Sequence, residues 1–135
     1  MLYQGDQKRI YVFCGDQNHG QVIPSGRYPT EQQTIYFPDT WTEGQDPGGG
    51  SAPVAGLYYP GRGFGKIWRE NPDGVQRCLG YALTAAETGY TISVQQFERG
   101  LLLTDSVGRI YVVSLRFGKC CGLGGFYTRY EALRR

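Results

Sequence analysis

GRGFGKI, residues 61–67, has the glycines and the lysine of a phosphate-binding loop. A P-loop needs four residues between its glycines, and a Ser or Thr after the lysine to reach Mg²⁺. Ile67 follows Lys66 here, the spacing is short, and no Val/Ile-rich strand precedes it. The glycines therefore read as a turn packed closely against a helix. His19 is the only histidine and stands in a polar loop; a catalytic device needs an oriented base, and a lone loop histidine reads as ordinary surface. Zinc favours paired spacings such as C-x-x-C, whereas Cys120 and Cys121 are adjacent and Cys14 and Cys78 are distant from them. Glycosidase chemistry needs two carboxylates in one cleft. Asp39 with Glu43, and Glu70 with Asp73, are near in sequence, but turn and helix capping account for them. The expectation is a non-enzyme with no metal and no cofactor.

Binding is the better reading of the aromatic residues. Trp41, Tyr58, Tyr59, Trp68, Tyr81 and Tyr90 gather in the middle of the chain. Their ring faces, beside Arg62, Arg69, Glu70 and Asn71, suit a sugar that is stacked on one side and hydrogen-bonded through its hydroxyls. The candidate ligand-binding set is Trp41, Tyr58, Tyr59, Arg62, Arg69, Tyr81 and Tyr90. A core role competes for part of it, since Phe64 and Trp68 stand at helical spacing. Tyr58 and Tyr59, adjacent in an extended segment, should leave one ring exposed.

Composition limits the partners. The chain of 135 residues has a net charge of +2, too weak for a nucleic-acid footprint. No apolar run is long enough for a transmembrane segment, and MLYQGDQKRI has no apolar core of a secretory signal. Glycine supplies 21 residues, roughly twice its usual share of about 7%, which favours turns over long helices. The four cysteines permit two disulfides or none, so the redox compartment stays open.

The elements that position these residues read as mostly β with short helices, arranged as antiparallel meander units. RIYV occurs at 9–12 and again at 109–112, each time after a polar turn, GDQK or DSVG. The repetition predicts one structural unit used twice, blade-like, with the first copy incomplete at its N-terminal side. Residues 1–42 form the incomplete unit, 43–56 a Gly/Pro-rich linker around DPGGGS, and 57–135 the complete unit. Alternation predicts burial of Ile10, Val12, Ile110 and Val112, with Tyr11 and Tyr111 beside their arginines on the opposite face. TIYF (34–37) reads as a strand and 15–26 as a loop. Phe64, Ile67 and Trp68 predict a helix ended by Asn71-Pro72, followed by a helical turn that stops at Gly80. Strands follow at 91–97, 100–103 and 109–115, then an aromatic stretch at 126–130. Trp68 is expected to pack on Leu79 and Phe97, and strand 2–4 to be a sheet edge.

Trp68, RCLGYALTAAE (77–87), VQQFERG (94–100) and RIYV (109–112) together resemble the LGFP repeat of bacterial cell-envelope proteins. GFGKIWRENP (63–72) and FERGL (97–101) also resemble Trp- and Tyr-rich modules of secreted bacterial proteins. The resemblance spans roughly residues 57–115, with a partial copy at 2–14. Leu79-Gly80 is followed by Tyr81-Ala82, so Ala82 stands where the family's L-G-x-P step has proline. The resemblance implies an extracellular or envelope location and attachment to cell-wall polysaccharide. The incomplete first copy leaves three expectations for the edge at 2–4: residues 126–130 cover it, a second chain does, or, the favoured one, the chain is a fragment of a longer exported protein, which also explains the missing signal. A cytoplasmic location is the alternative. The rival functions are a protein-interaction module that pairs or self-associates through a free strand edge, and a small hydrolase.

Overall fold

The computed structural model describes residues 1–16, 18–27, 30–89, 91–118 and 122–131, with backbone alone at 116–118, 122–124 and 131. Strand content dominates. The elements in chain order are β1 (Leu2–Gln4), β2 (Arg9–Tyr11), β3 (Phe13–Gly15), β4 (His19–Val22), β5 (Phe37–Pro38), α1 (Arg62–Glu70), a π-helical segment (Pro72–Gln76), α2 (Arg77–Leu79), β6 (Ser93–Phe97), β7 (Gly100–Thr104), β8 (Arg109–Gly118) and β9 (Gly122–Glu131). They make two antiparallel sheets, ordered β1-β2-β5 and β3-β4-β9-β8-β7-β6, and neither closes into a barrel or propeller. The chain divides into two compact units: Met1–Ile10 with Phe37–Thr88, and Tyr11–Tyr36 with Gly89–Arg135. Among the described residues no helix is long and apolar enough to cross a membrane.

In the first unit, α1 forms where Ile67 and Trp68 recur on one buried stripe together with Gly63 and Gly65. The helix ends where expected. The Asn71 backbone N–H and side-chain amide both donate to the Ile67 carbonyl, at 3.1 and 2.9 Å, and Pro72 offers no donor to continue the α pattern. The following segment buries Val75 completely and stops at Gly80, whose φ of 66° suits glycine. The DPGGGS stretch is held in a ribbon: Gly48 bridges Gly61, Ser51 bridges Tyr58, and the Tyr59 N–H donates to the Gly50 carbonyl at 2.8 Å. Linker composition does not by itself leave a segment unpaired. Strand β1 lies at the edge of its sheet, as expected.

The second unit is built on the meander β6-β7-β8, which β9 extends to four strands before joining the β3–β4 hairpin. That hairpin occupies residues read as a loop. Asp16 nucleates its turn, its Oδ1 accepting the N–H groups of Asn18 (2.7 Å) and His19 (2.9 Å). TIYF pairs as a strand only from Phe37. Before it, Thr34 makes a single bridge to Ser25, and its hydroxyl bonds the Tyr36 carbonyl at 2.5 Å in place of a ladder partner.

Cross-strand register corrects the burial pattern of the second RIYV. Leu103 faces Tyr111 and Leu101 faces Val113, so the odd-numbered side chains of β8 lie on the covered face. Leu101, Leu103, Val113, Tyr127 and Val22 are buried there, while Ile110 and Val112 point the other way and are half-buried. In the first copy Ile10 and Val12 are buried as expected, but Tyr11 is buried too. The reason is a change of sheet. Tyr11 ends β2, Phe13 begins β3, and strict alternation does not carry through Val12 between them. Tyr11 packs against Phe13 (6.5 Å between ring centroids) and edge-on to Tyr36 (6.3 Å).

The Asp16 turn has a pH signature. The N–H bonds from Asn18 and His19, and then the His19 charge, lower its carboxyl below the ordinary value of 3.8. A group with a depressed native pKa stabilises the fold above its unfolded value and loses that contribution as pH falls through the native one. The β3–β4 turn is therefore expected to keep Asp16 ionised until the pH is below 3.8. A carboxyl titration followed by NMR checks this, and a midpoint at or above that value would contradict it.

Candidate functional site

The first unit holds an open cleft of about 360 Å³, within the size range of small-ligand sites. Trp41 and Arg62, both in the expected binding set, meet in it. The guanidinium lies 5.8 Å from the centre of the indole, a cation–π distance. Trp41 is anchored at two points: its backbone N–H donates to Asp39 Oδ1 at 3.1 Å, and its indole Nε1–H to the Asp46 carbonyl at 3.2 Å. The half-exposed ring thus keeps one orientation at the cleft.

Asp39 also fixes the cleft's floor. Its backbone N–H donates to the Lys8 carbonyl at 2.8 Å, joining β5 to the end of the β1–β2 turn. A Cβ at Gly63 would come within 2.5–3.0 Å of the Asp39 carboxylate, so glycine in the first turn of α1 makes room for it. The positive end of the helix dipole offsets that charge in part. Glu43 and Glu87 line the same space, and so do the rings of Tyr3 and Phe64. Desolvation, and then the Asp39 and Glu87 charges, push the Tyr3 hydroxyl above its usual pKa, so it remains a neutral donor at physiological pH. The cleft presents ring faces, carboxylate acceptors and charged donors.

Other members of the expected set lie elsewhere. Tyr59, Trp68 and Tyr81 form a triad with ring centroids 5.6–5.9 Å apart, and Trp68 Nε1–H donates to the Gly80 carbonyl at 2.7 Å. Trp68 is buried as expected, but Tyr59 and Tyr81 are its ring neighbours, and Phe97 is 53% exposed on β6. Tyr58 is bridged through its backbone to Ser51 and Ala82, and both Tyr58 and Tyr59 are half-buried rather than one being exposed. The Arg69 guanidinium lies so close to Gly48 and Gly65 that a Cβ at either would collide with it. Tyr90 lies outside the described residues. Tyr3, Lys8 and Glu87 join the site without having been expected there. Among the described residues no group of three or more His, Cys, Asp or Glu side chains is placed to hold a metal ion.

No protein-family model, curated protein or solved structure matches the chain.

Proposed function

We propose that the chain is a non-catalytic binding module that holds polysaccharide in the Trp41–Arg62 cleft, as a unit of the LGFP-like kind acting at a bacterial envelope. The observation that carries this reading is the indole fixed at both its backbone and its Nε1, open on one side and flanked by Asp39, Glu43 and Arg62. Two further observations support it. Cys14 and Cys78 are both disulfide-bonded, which fits an oxidising compartment outside the cytoplasm. The two RIYV strands also follow turns closed by the same bond, Lys8 N–H to the Gly5 carbonyl at 3.4 Å and Gly108 N–H to the Asp105 carbonyl at 3.2 Å, as copies of one unit would.

Retention on insoluble cell-wall polysaccharide tests the proposal. Trp41→Ala is expected to abolish retention while leaving the circular dichroism spectrum unchanged, since the ring is half-exposed and loses one exposed hydrogen bond. Stacking of this kind is worth on the order of 1 kcal/mol or more per ring, enough to move a weak binder out of range. A wild-type protein that is never retained rejects the proposal. The rival reading, partner pairing at the N-terminal strand edge, rests on β1 at the end of its sheet, with β6 at one end of the other sheet as a second candidate. It predicts concentration-dependent size in solution, with no dependence on Trp41.

A further inference from the structure

Only two non-glycine residues among those described have a left-handed backbone, Lys8 and Arg62, both with φ of 50°. Both line the Trp41 cleft. Such a backbone is uncommon outside glycine and costs free energy that the surroundings must supply. The chain contains its own control for this cost. At an offset of one hundred residues Lys8 corresponds to Gly108, in the turn closed by the same bond, and Gly108 has φ of 84°. One copy of the hairpin takes the relaxed residue. The copy that borders the cleft takes lysine.

Asparagine also tolerates this conformation and would supply a neutral donor for a sugar hydroxyl. A long cationic side chain at both strained positions selects for charge. Among the described residues neither cation is within ion-pair distance of a carboxylate; the ion pairs there are His19–Asp16 and Arg109–Asp105. Both side chains are exposed. Three carboxylates, Asp39, Glu43 and Glu87, line the cleft with these two cations, and Asp39 is already engaged by the Trp41 N–H and sits against the first turn of α1. The carboxylates suit hydroxyl donors, and the two cations, neither in an ion pair, are the groups an acidic substituent would meet.

We infer that Lys8 and Arg62 are ligand-contacting residues, held in strained backbone to bind the anionic group of an acidic polysaccharide. This rests on the cleft reading above and names the ligand class for it. The anion is a sugar carboxylate or a phosphodiester, since both accept charge-assisted hydrogen bonds from the same cations.

The test uses the full chain with three soluble probes: polygalacturonate, poly(ribosylribitol phosphate) and uncharged dextran. Wild type is expected to bind at least one acidic probe about tenfold more tightly than dextran, and to weaken as salt is raised. Which acid binds tells the carboxylate from the phosphodiester. Lys8→Gly is expected to raise the melting temperature by a few degrees, because glycine relieves the turn, and to weaken binding of the acid about tenfold. Lys8→Arg should keep most of the affinity. Lys8→Gly protein that binds like wild type, while Trp41→Ala does not bind, overturns the inference and leaves the cleft reading standing. A lower melting temperature for Lys8→Gly overturns the strain argument, and equal binding of dextran overturns the charge preference. Failure of wild type to bind any glycan, soluble or insoluble, rejects the cleft reading and this inference together.

Discussion

Replacing Trp68 with alanine is expected to cost about 3–5 kcal/mol, the range for truncating a large buried aromatic. The indole is 8% exposed and packs on two tyrosines, and its N–H satisfies the Gly80 carbonyl at the end of α2. Truncation removes the ring contacts, opens a cavity, and strips that carbonyl of its donor in one step. Trp68→Phe separates these effects. It keeps much of the ring packing and forfeits the hydrogen bond, for a loss of about 1–3 kcal/mol. Urea unfolding followed by far-UV circular dichroism reads both variants. An alanine variant destabilised by less than about 1 kcal/mol would mean that the triad is not a core, and would return Tyr59 and Tyr81 to the list of binding candidates.

The second large effect is expected at Gly20, in the hairpin that residue chemistry disguised as a loop. A Cβ there would collide with the Cys14 carbonyl oxygen and lie 2.8 Å from the Gly15 Cα, both backbone atoms of the paired strand β3. Neither can swing aside as a flexible side chain would. Gly20→Ala should therefore force β3 and β4 apart, at a cost of about 3 kcal/mol, the upper end for overpacking. Hydrogen exchange should show the loss concentrated at the amides of 13–15 and 19–22. Unchanged protection across those amides would show that the hairpin tolerates the extra methyl and is looser than its geometry implies.

What could be read from the residues was mostly local. Ile67 and Trp68 at helical spacing, Asn71-Pro72 and Gly80 each specify a step of the helical segment through contacts a few residues away, and the segment formed as expected. The meander was equally legible, since β6, β7 and β8 are joined by short turns. The β3–β4 hairpin was not, because His19, Gly20 and Gln21 lack the alternating apolar pattern of a half-buried strand. Its partner β9 supplies the apolar side chains instead. The candidate site divides in the same way. Trp41 and Arg62 stood out by residue type, and the fold brings both to one cleft. Tyr59 and Tyr81 stood out in the same way, but lie near enough to Trp68 to collapse onto it. Lys8, Tyr3 and Glu87 had no local signal, because only the fold brings 3, 8, 41, 62 and 87 to one surface. The one available hint was Lys8 standing where the second copy of the turn has glycine.

The pairing of β4 with β9, His19 with Thr128 through Val22 with Gly125, also governs how the second unit assembles. More than a hundred residues separate these partners, so closing the ladder carries a loop entropy that no neighbouring turn offsets. During synthesis β3 and β4 emerge early and wait with an open edge while the whole of 37–88 is made, whereas β6, β7 and β8 can pair as soon as they appear. The order of assembly is then meander first, β9 next, and the N-terminal hairpin captured last. High contact order of this kind slows folding. The interval before capture is when the β4 edge stands unpaired and open to wrong pairing.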